Sequence, residues 1–107
     1  MAHDYYVLSI NHTRQSDRVL TWWGPDDSGY VFRLENAGRY SEKRVAANLS
    51  YYDNRVHTRA VRCDIVEAKA EAVAGVVGPT INVSRSGTDL VVRFRHRRGL
   101  IARGGVR

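Results

Sequence analysis

The chain has 107 residues, 43% hydrophobic and 26% charged, which predicts one soluble globular domain. One cysteine, Cys63, excludes a disulfide within this chain, and together with four scattered histidines it disfavours a zinc site of the usual spacing. The formal net charge of +6 arises in residues 85–107, which hold seven Arg and one Asp, because residues 1–84 hold ten basic and ten acidic residues.

Short sequence patterns add further expectations about location, cofactors and metals. The N-terminal MAHDYYVLSI lacks the basic and long apolar regions of a signal peptide, and no apolar run approaches the ~20 residues of a membrane span. We therefore expect a cytoplasmic protein with no membrane partner. Neither G-x-x-x-x-G-K-[ST] nor G-x-G-x-x-G occurs, and we expect no cofactor and no metal.

The first predicted elements are three strands and a helix. Residues 5–10, YYVLSI, carry apolar or aromatic side chains on both faces and predict an inner strand. Residues 19–23 and 30–34 predict an antiparallel hairpin around GPDDSG, the strongest turn signal in the chain. Ser41 predicts the N-cap of a helix over residues 42–49.

The second half of the chain adds strands around a second helix. Residues 58–63 predict a strand, and the alanine-rich residues 65–74 predict a helix that ends at Gly75. Residues 80–84 and 90–95 flank RSGT and predict a second hairpin.

Together these elements predict a single α+β domain over residues 1–95. Its mostly antiparallel sheet would have five or six strands, with two helices packed on one face. Residues 96–107 contain three glycines and no periodicity, and they predict a basic, flexible C-terminal tail.

Aromatic side chains give the first set of candidate binding residues, which is Trp22, Trp23, Tyr51 and Tyr52. The two tryptophans point to opposite faces of a strand, so at most one enters a given core. Tyrosine and tryptophan are enriched at interface hot spots and also stack on nucleic-acid bases. The alternative is that both tryptophans are packed, one under each helix.

Arginines near the C-terminus give the second set, which is Arg93, Arg95, Arg97 and Arg98. Guanidinium groups bind phosphates in a bidentate manner, and binding of this kind weakens steeply with salt. Three alternatives stay open, namely a nucleic acid, an acidic protein surface, or a solubilising terminus with no partner. No base-reading motif is present, so nucleic-acid binding would be independent of sequence.

Candidate catalytic groups are few. His12 and Asp53 are one conceivable pair, and Cys63 has Arg62 beside it, which favours a thiolate. Asp26 and Asp27 lie between Pro25 and Gly29, where they are typical of a turn. We expect no catalytic residue and no enzyme activity.

The segments YYVLSINHT, WWGPDDSGY, LENAGRY and the paired tyrosines Tyr51 and Tyr52 carry a resemblance. Over residues 5–66 the chain resembles a group of short uncharacterised proteins encoded by bacteriophages and prophages. The resemblance implies a phage origin and action in the bacterial cytoplasm, and it carries over no catalytic residue. The C-terminal hairpin and arginines lie outside it.

Small accessory phage proteins often bind a host component, including the host's defence machinery. We therefore expect a non-enzymatic accessory protein that binds a host protein or ribonucleoprotein complex and inhibits a bacterial defence system, as anti-CRISPR proteins do. The alternatives are a small sequence-independent nucleic-acid-binding protein and, with least support, a small enzyme acting on nucleotides.

Overall fold

The structure is a computed structural model that describes residues 3–13, 18–73 and 89–106. Strands and short helices are interleaved along these ranges. In chain order they are β1 (Asp4–Ser9), β2 (Trp22–Trp23), β3 (Tyr30–Val31), β4 (Tyr40–Ser41), α1 (Glu42–Ala47), α2 (Leu49–Tyr52), β5 (Thr58–Arg62), α3 (Cys63–Glu67), β6 (Ala70–Val73), β7 (Asp89–Val92) and α4 (Arg97–Arg103).

Strand β1 is the centre of a five-stranded antiparallel sheet. One of its edges pairs with β5 from Tyr5↔Arg62 to Ser9↔Thr58. The other edge pairs with β2 through Leu8↔Trp22 and with β4 through Tyr5↔Tyr40, and β3 continues the sheet beyond β2. The predicted α+β class, the antiparallel sheet and the hairpin around GPDDSG are confirmed.

Side chains of β1 enter two different cores because consecutive residues of a strand point to opposite faces. Tyr6 and Leu8 belong to the larger core, whose buried members also include Leu20, Trp22, Leu34, Val61, Val66 and Leu100. Tyr5 and Val7 belong to the smaller core, with Tyr40, Val45, Tyr52 and Ala60. Full burial of one such aliphatic side chain contributes about 1.5–3 kcal/mol, so β1 is anchored on both faces.

The helices are shorter and more numerous than predicted. Ser41 caps α1 as predicted, because its Oγ accepts the Arg44 N–H at 3.1 Å. The predicted helix breaks at Asn48, and α2 follows it. Four α-helices occur in the described ranges, and they pack on both sides of the sheet: Val45 of α1 and Tyr52 of α2 enter the smaller core, whereas α3 and α4 contribute to the larger one. The prediction of two helices on one face is therefore wrong.

The predicted helix over residues 65–74 is also wrong beyond its first turn. Helix α3 ends at Glu67, and β6 then pairs with β7 from Ala70↔Val92 to Val73↔Asp89. Val91 and Val92 are fully buried, so pairing and burial outweigh the helix propensity of the alanines. The predicted strand 80–84 and the RSGT turn lie outside the described residues.

The C-terminal segment, for which the sequence predicts a basic, flexible tail, is helical over Arg97–Arg103 and packs on the rest of the chain. Helix α4 places Leu100 in the larger core at 2% exposure. After it, the Gly105 N–H donates to the Ala60 carbonyl at 2.7 Å. In the parts of the chain that the structure describes, no helix is long and apolar enough to cross a membrane.

Buried Arg59 holds this segment against β5. Its Nε donates to the Ile101 carbonyl at 2.8 Å, and one Nη donates to the Gly104 carbonyl at 2.7 Å. The other Nη pairs with Asp53 at 3.0 Å, and Asp53 also accepts the Ala60 N–H. One guanidinium therefore joins the sheet, the turn after α2 and the end of α4.

Candidate functional site

The two tryptophans lie in different environments. Trp22 is fully buried in the larger core, where its ring meets Tyr6 edge-on at 5.9 Å between centroids. Trp23 is partly exposed and packs against the smaller core. The alternation predicted for these residues is therefore observed, but only Trp23 is accessible to a partner.

An aromatic patch surrounds Trp23 at the surface, and we define it as His12, Trp23, Tyr30 and Tyr51. Tyr51 contacts Trp23 edge-on at 4.9 Å and is 45% exposed. Tyr30 is the cross-strand partner of Trp23, is 51% exposed, and stacks on His12 at 3.9 Å. Directly paired residues share a face of the sheet, so the His12–Tyr30 pair and the Trp23–Tyr51 pair lie on the same side of it.

Buried tyrosines support the aromatic patch from below. Between ring centroids, Tyr52 lies 5.8 Å from Trp23 and 5.0 Å from Tyr51, and Tyr40 lies 5.3 Å from Tyr52. Tyr52 is 5% exposed and Tyr40 is 2% exposed. Tyr52, predicted as a binding residue, therefore positions the exposed rings and does not itself offer a contact surface.

Arg44 fixes this support to the hairpin loop. Its guanidinium lies over the rings of Tyr40 and Tyr52 at 5.1 and 5.8 Å, and its Nε donates to the Tyr52 hydroxyl at 2.9 Å. Its two Nη groups pair with Asp26 at 3.0 Å and Asp27 at 3.2 Å. These hydrogen bonds, first to Tyr52 and then to Asp26, raise the pKa of Arg44. The two aspartates therefore lie in the hairpin loop and are held there by ion pairs with Arg44.

Gly24, Gly38 and Tyr40 meet at the same loop. The Tyr40 hydroxyl donates to the Gly24 carbonyl and accepts the Asp27 N–H at 2.9 Å. A Cβ on Gly38 would lie 2.8 Å from Gly24 O and from Pro25 Cα. These contacts therefore hold a tightly packed loop that presents Trp23 and Tyr30.

The four predicted arginines do not form one free row. Arg93 and Arg95 both form ion pairs with Glu71. Arg93 Nε lies 3.5 Å and Arg95 Nη2 lies 3.4 Å from Glu71 Oε2. The Arg97 guanidinium lies over Phe94 at 6.0 Å from the ring centroid, and its buried Nε has no hydrogen-bond partner among the described residues. Arg98 is exposed on α4. One carboxylate for two arginines still leaves an excess of positive charge here.

The candidate catalytic groups are engaged elsewhere. Asp53 is committed to Arg59 and to the Ala60 N–H and does not orient His12, whose Nδ1 lies 2.8 Å from Ser9 Oγ. Cys63 is 3% exposed, and burial raises the pKa of its thiol to about 12, so Arg62 does not activate it. Within the described ranges no three His, Cys, Asp or Glu residues are grouped to hold a metal ion.

Sequence reasoning missed two members of the aromatic patch. Tyr30 was predicted only as a strand residue, and His12 only as a loop residue and as one conceivable catalytic partner of Asp53. The register of the predicted hairpin was the available signal, because it places Tyr30 opposite Trp23. Nothing in the local sequence brings His12 to Tyr30, since that contact depends on how the loop after β1 folds.

No protein-family model matches the chain, and neither a curated protein nor a solved structure is significantly similar to it. The resemblance of residues 5–66 to phage-encoded proteins therefore stays a prediction.

Proposed function

We propose that this chain is a non-enzymatic, phage-encoded accessory protein. It binds a host protein or ribonucleoprotein in the bacterial cytoplasm and by doing so inhibits a defence system, as anti-CRISPR proteins do. The aromatic patch is the observation that carries the binding part of this proposal. The phage origin and the defence target come from the resemblance of residues 5–66.

Exposure and rigidity together make the aromatic patch suited to binding. Tyr30 and Tyr51 are each about half exposed although they lie beside the partly buried Trp23. Aromatic side chains bury a large area at a low cost in side-chain entropy, and they dominate interface hot spots. Because Arg44 and the buried tyrosines already order the rings, a partner meets a preorganised surface and less entropy is lost on binding.

Charge around the aromatic patch favours a protein partner over a nucleic acid. The charged groups joined to the tyrosines beneath the patch are Arg44, Asp26 and Asp27, and the Asp26 side chain is 88% exposed. Two carboxylates beside one guanidinium repel a phosphate backbone, whereas a protein interface ordinarily has a mixed polar rim around an apolar centre. We therefore assign the partner surface here as apolar or aromatic protein side chains with a polar rim.

The proposed absence of catalysis has structural support in the engaged groups. Asp53 forms an ion pair with Arg59, Asp26 and Asp27 form ion pairs with Arg44, and Cys63 is buried. Each is explained by packing or pairing that a catalytic role would disturb.

A pull-down with matched variants tests the proposal. The tagged protein is incubated with nuclease-treated bacterial lysate as wild type, as Tyr51→Ser and as Leu90→Ser. Leu90 is a comparable control because it is 40% exposed on β7, away from the aromatic patch. An exposed aromatic hot spot contributes about 2 kcal/mol or more, so we expect retention of the host component to fall by roughly tenfold or more in Tyr51→Ser.

Leu90→Ser should retain the component like the wild type, and circular dichroism should show both variants folded. Equal retention by all three proteins would remove the aromatic patch as the binding surface. A parallel incubation uses untreated lysate, and retention by the wild type in that lysate alone would instead favour a nucleic-acid partner.

A further inference from the structure

A small groove lies on the larger-core side of the sheet, away from the aromatic patch. Its volume is about 200 Å³, and it is formed by the turn after α3, the 3-10 turn Phe94–His96 and α4. The residues that line it are Lys69, Arg95, His96, Gly99, Leu100 and Arg103. Three of the six are permanently cationic, and none is acidic.

The cations of this groove are largely available to a ligand. Lys69 and Arg103 are exposed, and neither forms an ion pair with any residue that the structure describes. The Arg95 side chain is 72% exposed, and its contact with Glu71 is long at 3.4 Å and shared with Arg93. The groove therefore keeps a net positive charge after its nearest carboxylate is counted.

Gly99 has no side chain, so the backbone of α4 is exposed to the groove between these cations. Among the described residues, no atom other than those of its chain neighbours and of its own helix backbone lies within 4 Å of the position that a Cβ would take there. A glycine inside a helix costs about 1 kcal/mol of helix stability relative to alanine. Because nothing crowds this position, packing does not require a glycine here. The space above Gly99, with buried Leu100 as the floor, admits a tetrahedral anion close to the helix surface.

His96 adds a titratable group at the rim. Burial, and then the charges of Arg95 and Lys69, lower the pKa of its imidazole, whereas Glu71 acts in the opposite direction. At neutral pH the ring is therefore uncharged and can donate one hydrogen bond.

We propose that this groove binds phosphate groups of a nucleic-acid backbone without sequence preference. Arginine and lysine around an open groove suit phosphate oxygens, and exposed Arg98 extends the positive surface along α4 beyond a single anion site. The described residues form no recognised base-reading motif here, so we assign the affinity to phosphate contacts and released counterions. This activity does not require the aromatic patch, and it locates the nucleic-acid contact in residues that the arginine pattern alone did not identify, Lys69 and Arg103.

Fluorescence anisotropy with a labelled 20-nucleotide single strand and a 20-base-pair duplex tests the groove across a salt series. Lys69→Gln is compared with Lys43→Gln, which removes the same charge from exposed α1 on the other side of the sheet. Gly99→Leu fills the groove without changing charge. We expect Lys69→Gln to weaken binding at least fivefold and to lower the slope of log K against log salt by about one. Gly99→Leu should also weaken binding, and Lys43→Gln should change it less than twofold.

The proposal is wrong if the wild type binds neither oligonucleotide at low salt, or if Lys43→Gln and Lys69→Gln weaken binding equally. Competition separates the sources of anion. Unlabelled nucleic acid should displace the probe, whereas equal displacement by inorganic phosphate or by polyglutamate would overturn the assignment to a nucleic-acid backbone. Because the probe is pure nucleic acid, the result does not depend on the outcome of the pull-down.

Discussion

Single glycines show how differently one residue type is used in this fold. Gly38 lies where a Cβ would approach two backbone atoms at 2.8 Å, and Gly104 lies where one would approach Arg59 Nε at 2.5 Å. Gly99 has nothing within 4 Å. Sequence composition counts these glycines alike, because the crowding at the first two arises from segments far apart in the chain.

Alanine at two of these positions should change stability in opposite directions. Gly38→Ala forces Gly24 and Pro25 to move, and overpacking of this kind costs about 1–3 kcal/mol. Gly99→Ala meets no obstacle and should add about 0.5–1 kcal/mol by improving helix propensity. Urea unfolding monitored by tryptophan fluorescence measures both changes. Stabilisation by Gly38→Ala would contradict the packing described for the hairpin loop.

Local sequence signals explain which elements were predictable. Strand β1, the hairpin and the Ser41 cap each carry their own pattern within a few residues, namely alternation, turn residues and a capping hydroxyl. Helix α4 carries the opposite signals: it begins with Arg97 and Arg98 near the positive end of the helix dipole, contains Gly99, and has no side-chain cap. Tertiary contacts of Leu100 and Arg59 form it, and the local sequence does not reveal them.

Arg59 should therefore determine whether the C-terminal element stays docked. Arg59→Met leaves Asp53 buried without its cation, and loss of one partner from a buried pair costs about 3–5 kcal/mol. We expect a lower midpoint of unfolding in a urea titration. We also expect earlier cleavage near α4 in a limited trypsin digestion.

Arg62→Met is the matched control on the same strand, because the pair between Arg62 and Asp64 is exposed and should matter little. Equal loss of stability in both variants would show that Arg59 does not act as the link between β5 and α4.

At the scale of the whole molecule, the two sides of the sheet differ in chemistry. The smaller-core side carries the aromatic patch with a mixed-charge rim, and the larger-core side carries the cationic groove. The charge excess of residues 85–107 was readable from the sequence. The spatial distribution of this charge was not readable, because Glu71 of β6 and Lys69 of the turn after α3 lie beside these arginines only in the folded chain.

Of the predicted binding residues, the aromatic set was only half accessible. Trp23 and Tyr51 are at the surface, whereas Trp22 and Tyr52 are buried. Alternation along β2 predicted that the tryptophans would separate, but it did not show which face would be covered. That choice follows from α1 and α2, which cover the smaller core and leave its end around Trp23 open.

Site-specific photocrosslinking tests the central claim most directly. A benzoylphenylalanine at position 51 places a reactive ring in the aromatic patch, and the same residue at position 90 serves as the control on β7. In nuclease-treated bacterial lysate, we predict one discrete crosslinked host protein from position 51 and none from position 90. No crosslink at position 51, or the same products from both positions, would contradict the proposal that this chain binds a host protein through the surface around Trp23.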